Sequence, residues 1–223
     1  MTPPPLCIAD DATFWPWLRW PEFAAWPGRE QTVVVLPVAG LADWGLGQAL
    51  DAEETVLMHV LRAASQHRPA GLALLVAPPL RFVAGPGPGC AFAVEVPVAQ
   101  ALIDEVAASI AAAGFRRIVL YNSSPWNEEL CDVAARDLRV AHGLQTFCVN
   151  LSAIELDFDA DRHPDRRRLQ TLLAGLTAAA GGEPAGEAGE ILRAAGTRLG
   201  ALLAEIQGRA PLPDGGRIVP VSP

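Results

Sequence analysis

The side chains of this chain with the means to do chemistry gather in three stretches. The first is Thr32 to Glu54, TVVVLPVAGLADWGLGQALDAEE, where an apolar run opens into a loop carrying Asp43 and ends in the acids Asp51, Glu53 and Glu54. The second is NSSPWN, with Asn122, Ser124 and Asn127, and the third is the polar stretch that contains His163. Carboxylates, a hydroxyl and an imidazole are the ingredients of acid–base or nucleophilic hydrolysis. They do not, however, fall into a nucleophile, a base and an orienting acid with the required order of roles. Each also has an ordinary structural use: asparagines at strand ends and helix caps, acids at helix starts. His59, His67 and His142 fall within helical patterns and read as surface or partly buried residues.

The four cysteines, Cys7, Cys90, Cys131 and Cys148, are widely spaced, with no C-x-x-C pair and no metal-ligand spacing. Cys131 and Cys148 read as small core residues, whereas Cys90, in a glycine-rich loop, is the candidate for reactivity. That loop holds Gly85, Gly87 and Gly89 interleaved with Pro86 and Pro88. It lacks the lysine of a phosphate loop, and its prolines remove backbone donors.

Composition narrows the class. With 223 residues, 51% hydrophobic and 19% charged, the chain can bury one sizeable core and reads as one domain. A net charge of −8 argues against nucleic acid as a partner. All 17 basic residues are arginine, and the only dense basic run, Arg166 to Arg168, reads as a salt-bridged helix start. Pro78, Pro79 and Arg81 interrupt the longest apolar segment, so no membrane span is expected. With Asp10 and Asp11 near the start and no basic leader, a cytoplasmic location is the expectation.

Periodicity then supplies the elements that must position these groups. Val33 to Leu36 is apolar without alternation, as in a parallel strand covered on both faces, and is expected to break at Pro37. Further strands are predicted over Leu72 to Ala77, Arg117 to Tyr121 and Leu144 to Asn150. Helices are predicted over Glu53 to Ser65, Ala99 to Ala113, Glu128 to Ala141 with Asn127 as N-cap, Arg166 to Ala179 and Glu190 to Gln207. Residues 1–28 form a Pro/Trp-rich segment that reads as an aromatic cap or a subunit contact, 181–189 a flexible linker and 211–223 an extended tail. Alternation of strand and helix predicts a mostly parallel sheet with helices on both sides. Loops leaving the carboxyl ends of such strands are where chemistry is usually placed.

Taken in order, several segments resemble the creatininase (creatinine amidohydrolase) family. Leu18 to Glu22 is similar to its L-T-W-P-E, and Leu36, Pro37, Val38 opens like its L-P-V-G-S-x-E-Q-H-G-x-H-L-P-x-x-x-D motif. Pro78 and Pro79 match its second-strand P-P, Gly114 to Val119 matches its G-F-R-R-I-V, and Asn122 to Asn127 stands in the place of N-G-H-G-G-N. The resemblance implies a three-layer α/β/α sandwich. It also implies relatives that carry two zinc or manganese ions, hydrolyse cyclic amides with metal-activated water, and assemble as oligomers, often trimers of dimers.

Position by position, the ligands implied by that resemblance are mostly replaced. The family's Glu falls on Ala42, its first His on Trp44, its second His on Gly47 and its Asp on Glu53. Its later His falls on Ser124, with Pro125 and Trp126 following. The G-x-S-x-E-H stretch has no counterpart in Gly85 to Ala93. In the carboxyl-terminal H-A-G-E-x-E-T-S only His163 survives, and the two glutamates become Arg166 and Arg168. Alanine, tryptophan and glycine offer no ligand to a divalent ion. The expectation is therefore a protein without a cofactor, in which Trp44 and Trp126 fill the vacated site and Arg168 pairs with Glu53 or Asp51. Such a subunit would act through a homo-oligomer, a hetero-oligomer with an active paralogue, or a small-molecule ligand. A remodelled amidohydrolase using Glu53 is the alternative.

Overall fold

Strand β1, Val33–Ala39, is buried along all seven of its residues, and the fold is laid out on either side of it. The computed structural model describes residues 12–45, 47–85, 87, 89–159, 161–162, 166–179 and 182–210. The first eleven residues, Cys7, Pro86, Pro88, His163 and the tail expected over 211–223 lie outside the described residues. Helix α1 is Trp20–Ala24. After β1 come β2 (Leu41–Ala42), α2 (Ala52–Gln66), β3 (Leu74–Val76), β4 (Leu80–Arg81), β5 (Val83–Ala84), β6 (Cys90–Ala91) and β7 (Ala93–Val94). Then follow α3 (Val96–Ala112), β8 (Arg117–Asn122), α4 (Glu128–His142), β9 (Gln145–Asn150), α5 (Arg167–Ala178) and α6 (Gly186–Gly208).

The main sheet is parallel throughout, in the order β3, β1, β8, β9, with β4 also paired to β1. Successive side chains of β1 feed opposite cores. Val33, Val35 and Ala39 join the cluster containing α2, α5 and α6, whereas Val34, Leu36 and Val38 join the one containing α1, α3 and α4. This period of two, apolar on both phases, is what makes three layers from an unbroken hydrophobic run.

The strand does not break at Pro37, as the sequence suggests, but runs on to Ala39, with Pro37 opposite Tyr121. Val35 accepts from Ala77 N–H at 2.8 Å and Ala39 from Phe82 N–H at 3.0 Å, so odd-numbered residues of β1 turn towards β3 and β4. Pro37 therefore presents its missing N–H to the gap between those strands, where Pro78 and Pro79 stand. A central strand tolerates proline there because no ladder bond is lost.

Other boundaries shift modestly. β3 is only three residues long, and α6 begins at Gly186, inside the segment expected to be a linker. Asn127 occupies the backbone position before α4 but its side chain does not cap it. Its amide instead donates to Phe82 O and accepts from Ala84 N–H, both at 2.8 Å, tying the β4 to β5 segment to the second candidate loop. In the amino-terminal segment Trp15 stacks on Phe23 at 4.7 Å, while Trp17 and Trp20 are exposed. Among the described residues no helix is long and apolar enough to cross a membrane.

Tyr121 is fully buried in the α2, α5 and α6 core, and its hydroxyl has no hydrogen-bond partner. Burial pushes its ionisation far above the ordinary tyrosine range. An orphaned buried hydroxyl costs about 1 to 3 kcal/mol relative to an apolar group of the same shape. Tyr121→Phe is therefore expected to raise stability by about 1 kcal/mol in urea unfolding; a loss of that size would show that the hydroxyl is bonded.

Candidate functional site

The carboxyl ends of β1 and β8 deliver the first two candidate stretches to one place. Gly40 follows β1, and residues 122 to 124 end β8 and lead to the short helical turn Pro125–Asn127. Glu53, in the first turn of α2, points back beneath them and is wholly buried. Its Oε2 accepts from Gly40 N–H at 2.7 Å and its Oε1 from the Trp44 indole N–H at 3.0 Å. Gly40 has no room for a side chain, since a Cβ there would lie 2.8 Å from both Glu53 Oε2 and Ser124 Oγ.

Burial raises the Glu53 pKa to about 7, against the pull of the Gly40 and Trp44 donors and of the nearby Ser124 hydroxyl. The serine contributes by proximity, because its Oγ makes no well-formed hydrogen bond. Among the described residues no cationic side chain pairs with it, and desolvation disfavours its charged form. Burial, and then the Glu53 charge, push the Cys90 thiol up. That disfavours the thiolate and counts against the reactivity expected of Cys90.

Aromatic rings cover Glu53. Trp44 stacks on Trp126 with ring centres 4.6 Å apart and packs against the buried Phe158 at 5.2 Å. Gly87 lets the glycine-rich loop lie against this pair, as a Cβ there would be 3.1 Å from Trp126 Nε1 and 2.7 Å from Cys90 Sγ. Phe158 is held by its neighbours. Arg162 bonds Asp157 at 3.0 Å and Asp159 at 3.2 Å, and pairs with Glu128 at the start of α4, closing the third candidate stretch over the second.

The expected partner of Glu53 is not there. Arg168 is exposed and lies 3.8 Å from Glu155, which bonds Arg198 at 2.5 Å. Arg166, half-buried, sits over the Trp44 ring at 5.8 Å. Two residues apart on a helix means roughly 200° of rotation, so the two arginines cannot face the same way. Asp51 stands at the start of α2 without capping it, and Glu54 is taken by Arg81 through bonds of 2.5 and 2.8 Å.

The remaining candidates serve the backbone. The Asn122 amide donates to Ser124 O at 2.8 Å and to Asn150 Oδ1 at 3.0 Å, and accepts from Ser124 N–H, fixing the turn after β8. Asp43 accepts from Gly45 N–H at 2.8 Å on the exposed side of the loop, and Ala42 is buried in β2 against β6. Gly40, Phe158 and Arg166 were not among the candidates read from the sequence. For Arg166 a signal exists, its place at a family glutamate; for Phe158 the signal is one aromatic residue between two aspartates.

The donor set does not suit a pair of divalent ions. Both Glu53 oxygens face N–H groups, and the positions around them present indole, methyl and guanidinium groups. Among the described residues no group of three or more His, Cys, Asp or Glu side chains is placed to share a cation.

A sequence model of the creatininase family, described as creatinine amidohydrolase, matches residues 17–179. Solved structures share the fold. A creatinine amidohydrolase (creatininase) superposes with a TM-score of 0.65 at 16% identity, covering 90% of this chain and 100% of that one. A mutant creatininase complexed with creatine gives 0.66 at 17%, covering 88% and 99%. A protein from Bacteroides fragilis NCTC 9343 assigned as a creatinine amidohydrolase gives 0.56 at 17%, covering 80% and 90%. Among curated proteins none matches the sequence.

Proposed function

Because the chain belongs to the creatininase family, we propose that it has exchanged the family's dinuclear metal site for an aromatic plug and works as a non-catalytic or repurposed subunit. The observation that carries this reading is the Trp44 indole N–H bonded to Glu53, with Trp126 stacked on that indole and Phe158 tilted against it. A carboxylate at a family ligand position is satisfied by hydrogen-bond donors and roofed by rings, an arrangement that excludes water rather than admitting substrate.

A scaffold of this kind acts through association. Trp17, Trp20, Phe92, Val98 and Leu102 are exposed and apolar, the kind of surface that subunit contacts cover. The partner is a second copy of this chain or an active paralogue, in the closed symmetric assemblies usual for oligomers. The alternative mode of action is a small molecule held in the altered pocket. Metal analysis of protein purified without chelators should return no stoichiometric zinc or manganese, and light scattering should give a mass above one chain. Two ions per chain would overturn the proposal.

One observation favours a second reading, a remodelled amidohydrolase acting on a cyclic amide or formamide. Glu53 titrates near 7, where a carboxyl can act as acid or base at neutral pH. Turnover of such amides, abolished by Glu53→Gln, would establish it. No turnover by the wild-type protein would remove it.

A further inference from the structure

Strand β9 sends its side chains alternately to the two faces of the sheet. Phe147 and Val149 pack with the α2, α5 and α6 core, whereas Cys148, between them, packs with the opposite core, where Cys131 of α4 is wholly buried. Helix α4 runs back along the sheet, from the turn after β8 to Gly143 just before β9, and Arg139 Nε joins the two by donating to Thr146 O at 2.7 Å. The first turn of α4 therefore lies beside the carboxyl half of β9. That brings Cys131 to the level of Cys148, seventeen residues further along the chain.

The two thiols are unbridged and close enough to interact directly. Cys148 Sγ also lies 3.6 Å from Asn150 Oδ1 and donates to it, so its lone pairs are left to accept from Cys131. Access separates the pair. Cys131 has no exposed surface, whereas Cys148 is half-buried, on a strand that among the described residues has a neighbour on one side only. The hydrogen bond to Cys148, burial, and the charges of Cys148 and Glu128 hold the Cys131 thiol well above the usual thiol range. Two of those causes come from Cys148, so they lapse once that sulfur is oxidised.

We propose that Cys131 and Cys148 are a modification site, forming a reversible disulfide when the protein meets hydrogen peroxide. Cys148, the sulfur with a path to solvent, takes one oxygen from the peroxide, giving a sulfenic acid and one water. The Cys131 sulfur attacks the Cys148 sulfur, the S–OH bond breaks, and the hydroxide leaves with the Cys131 proton as a second water. Two thiols have given up two electrons and two protons, and one peroxide has become two waters. The bridge ties the first turn of α4 to β9 and withdraws the Cys148 donor from Asn150, which accepts from the Asn122 amide at 3.0 Å. Oxidation is thereby felt in the turn after β8. The site is separate from Glu53 and does not depend on the proposed fate of the metal centre.

Peroxide treatment of the whole native protein, followed by denaturation, alkylation and peptide mass spectrometry, tests this. Cys131 and Cys148 should be lost to the alkylating reagent together and in equal amount, as two joined peptides lacking two hydrogens, and dithiothreitol should return both. Cys131→Ala should leave Cys148 as a sulfenic acid that dimedone traps, whereas Cys148→Ala should leave Cys131 a thiol. Three results overturn the proposal. The first is a Cys131 and a Cys148 that both remain thiols after Cys90 has been oxidised. The second is a sulfinic acid at Cys148 beside a free Cys131 in the wild type, and the third is a bridge from either residue to Cys7 or Cys90.

Discussion

Replacing Trp44 with alanine is expected to destabilise the protein by about 3 to 5 kcal/mol, the range for removing a large ring from a packed site. The ring is in contact on two sides, with Trp126 at 4.6 Å and Phe158 at 5.2 Å, and its N–H satisfies a buried carboxyl. Truncation would remove these contacts and leave Glu53 with one donor fewer in a desolvated place. Trp44→Phe separates the two contributions. It keeps a stacked ring and loses only the N–H, for an expected cost of about 1 to 2 kcal/mol. It should also push the Glu53 pKa higher still, because the indole is one of the groups that lower it. Urea unfolding of both variants decides the matter. Losses under about 1 kcal/mol for alanine would mean that the rings lie over the carboxyl without holding the structure together.

The second large effect is a dependence on pH. Glu53 has a folded pKa of about 7 against an ordinary value of 4.5, so between those limits the native state binds more protons than the unfolded chain. Stability then falls as pH rises through that window and levels off above it. At 1.36 kcal/mol per unit the total is about 3 kcal/mol. His59 works the other way. Its folded pKa is lowered, so the stability it contributes grows as pH rises towards 6.5. Comparing wild type with Glu53→Gln cancels that opposing slope, since both proteins retain His59. The variant should gain about 3 kcal/mol relative to wild type between about pH 4.5 and 8. Parallel profiles would show that Glu53 has no raised pKa in the folded protein.

The layered fold was legible because β1 announces itself: an unbroken apolar run of this length has few other uses than a strand covered on both faces. What sequence alone could not show was that Pro37 continues the strand, because that depends on which edge its nitrogen faces. The placement of Trp44, Glu53 and Trp126 around one another followed from motif positions on two loops. Arg168 was the expected partner of Glu53 or Asp51, but the start of α5 turns it out towards Glu155. Asn127 illustrates a different blindness. Its place before a helix reads as a cap, yet its amide fits the backbone of Phe82 and Ala84.

The break at Pro78 and Pro79 also shapes how this sheet can meet another. On that flank β3 and β4 offer only three and two residues, and Val76 is already occupied by a bond of 2.7 Å to Thr13 O. Fragments so short and partly covered make a poor template for a foreign strand. The opposite border, β9, is continuous over six residues and, among the described residues, pairs only with β8. A strand added to this sheet would find its longest template at β9, where Arg139 already bonds Thr146 O at 2.7 Å, so such an addition would be one-sided.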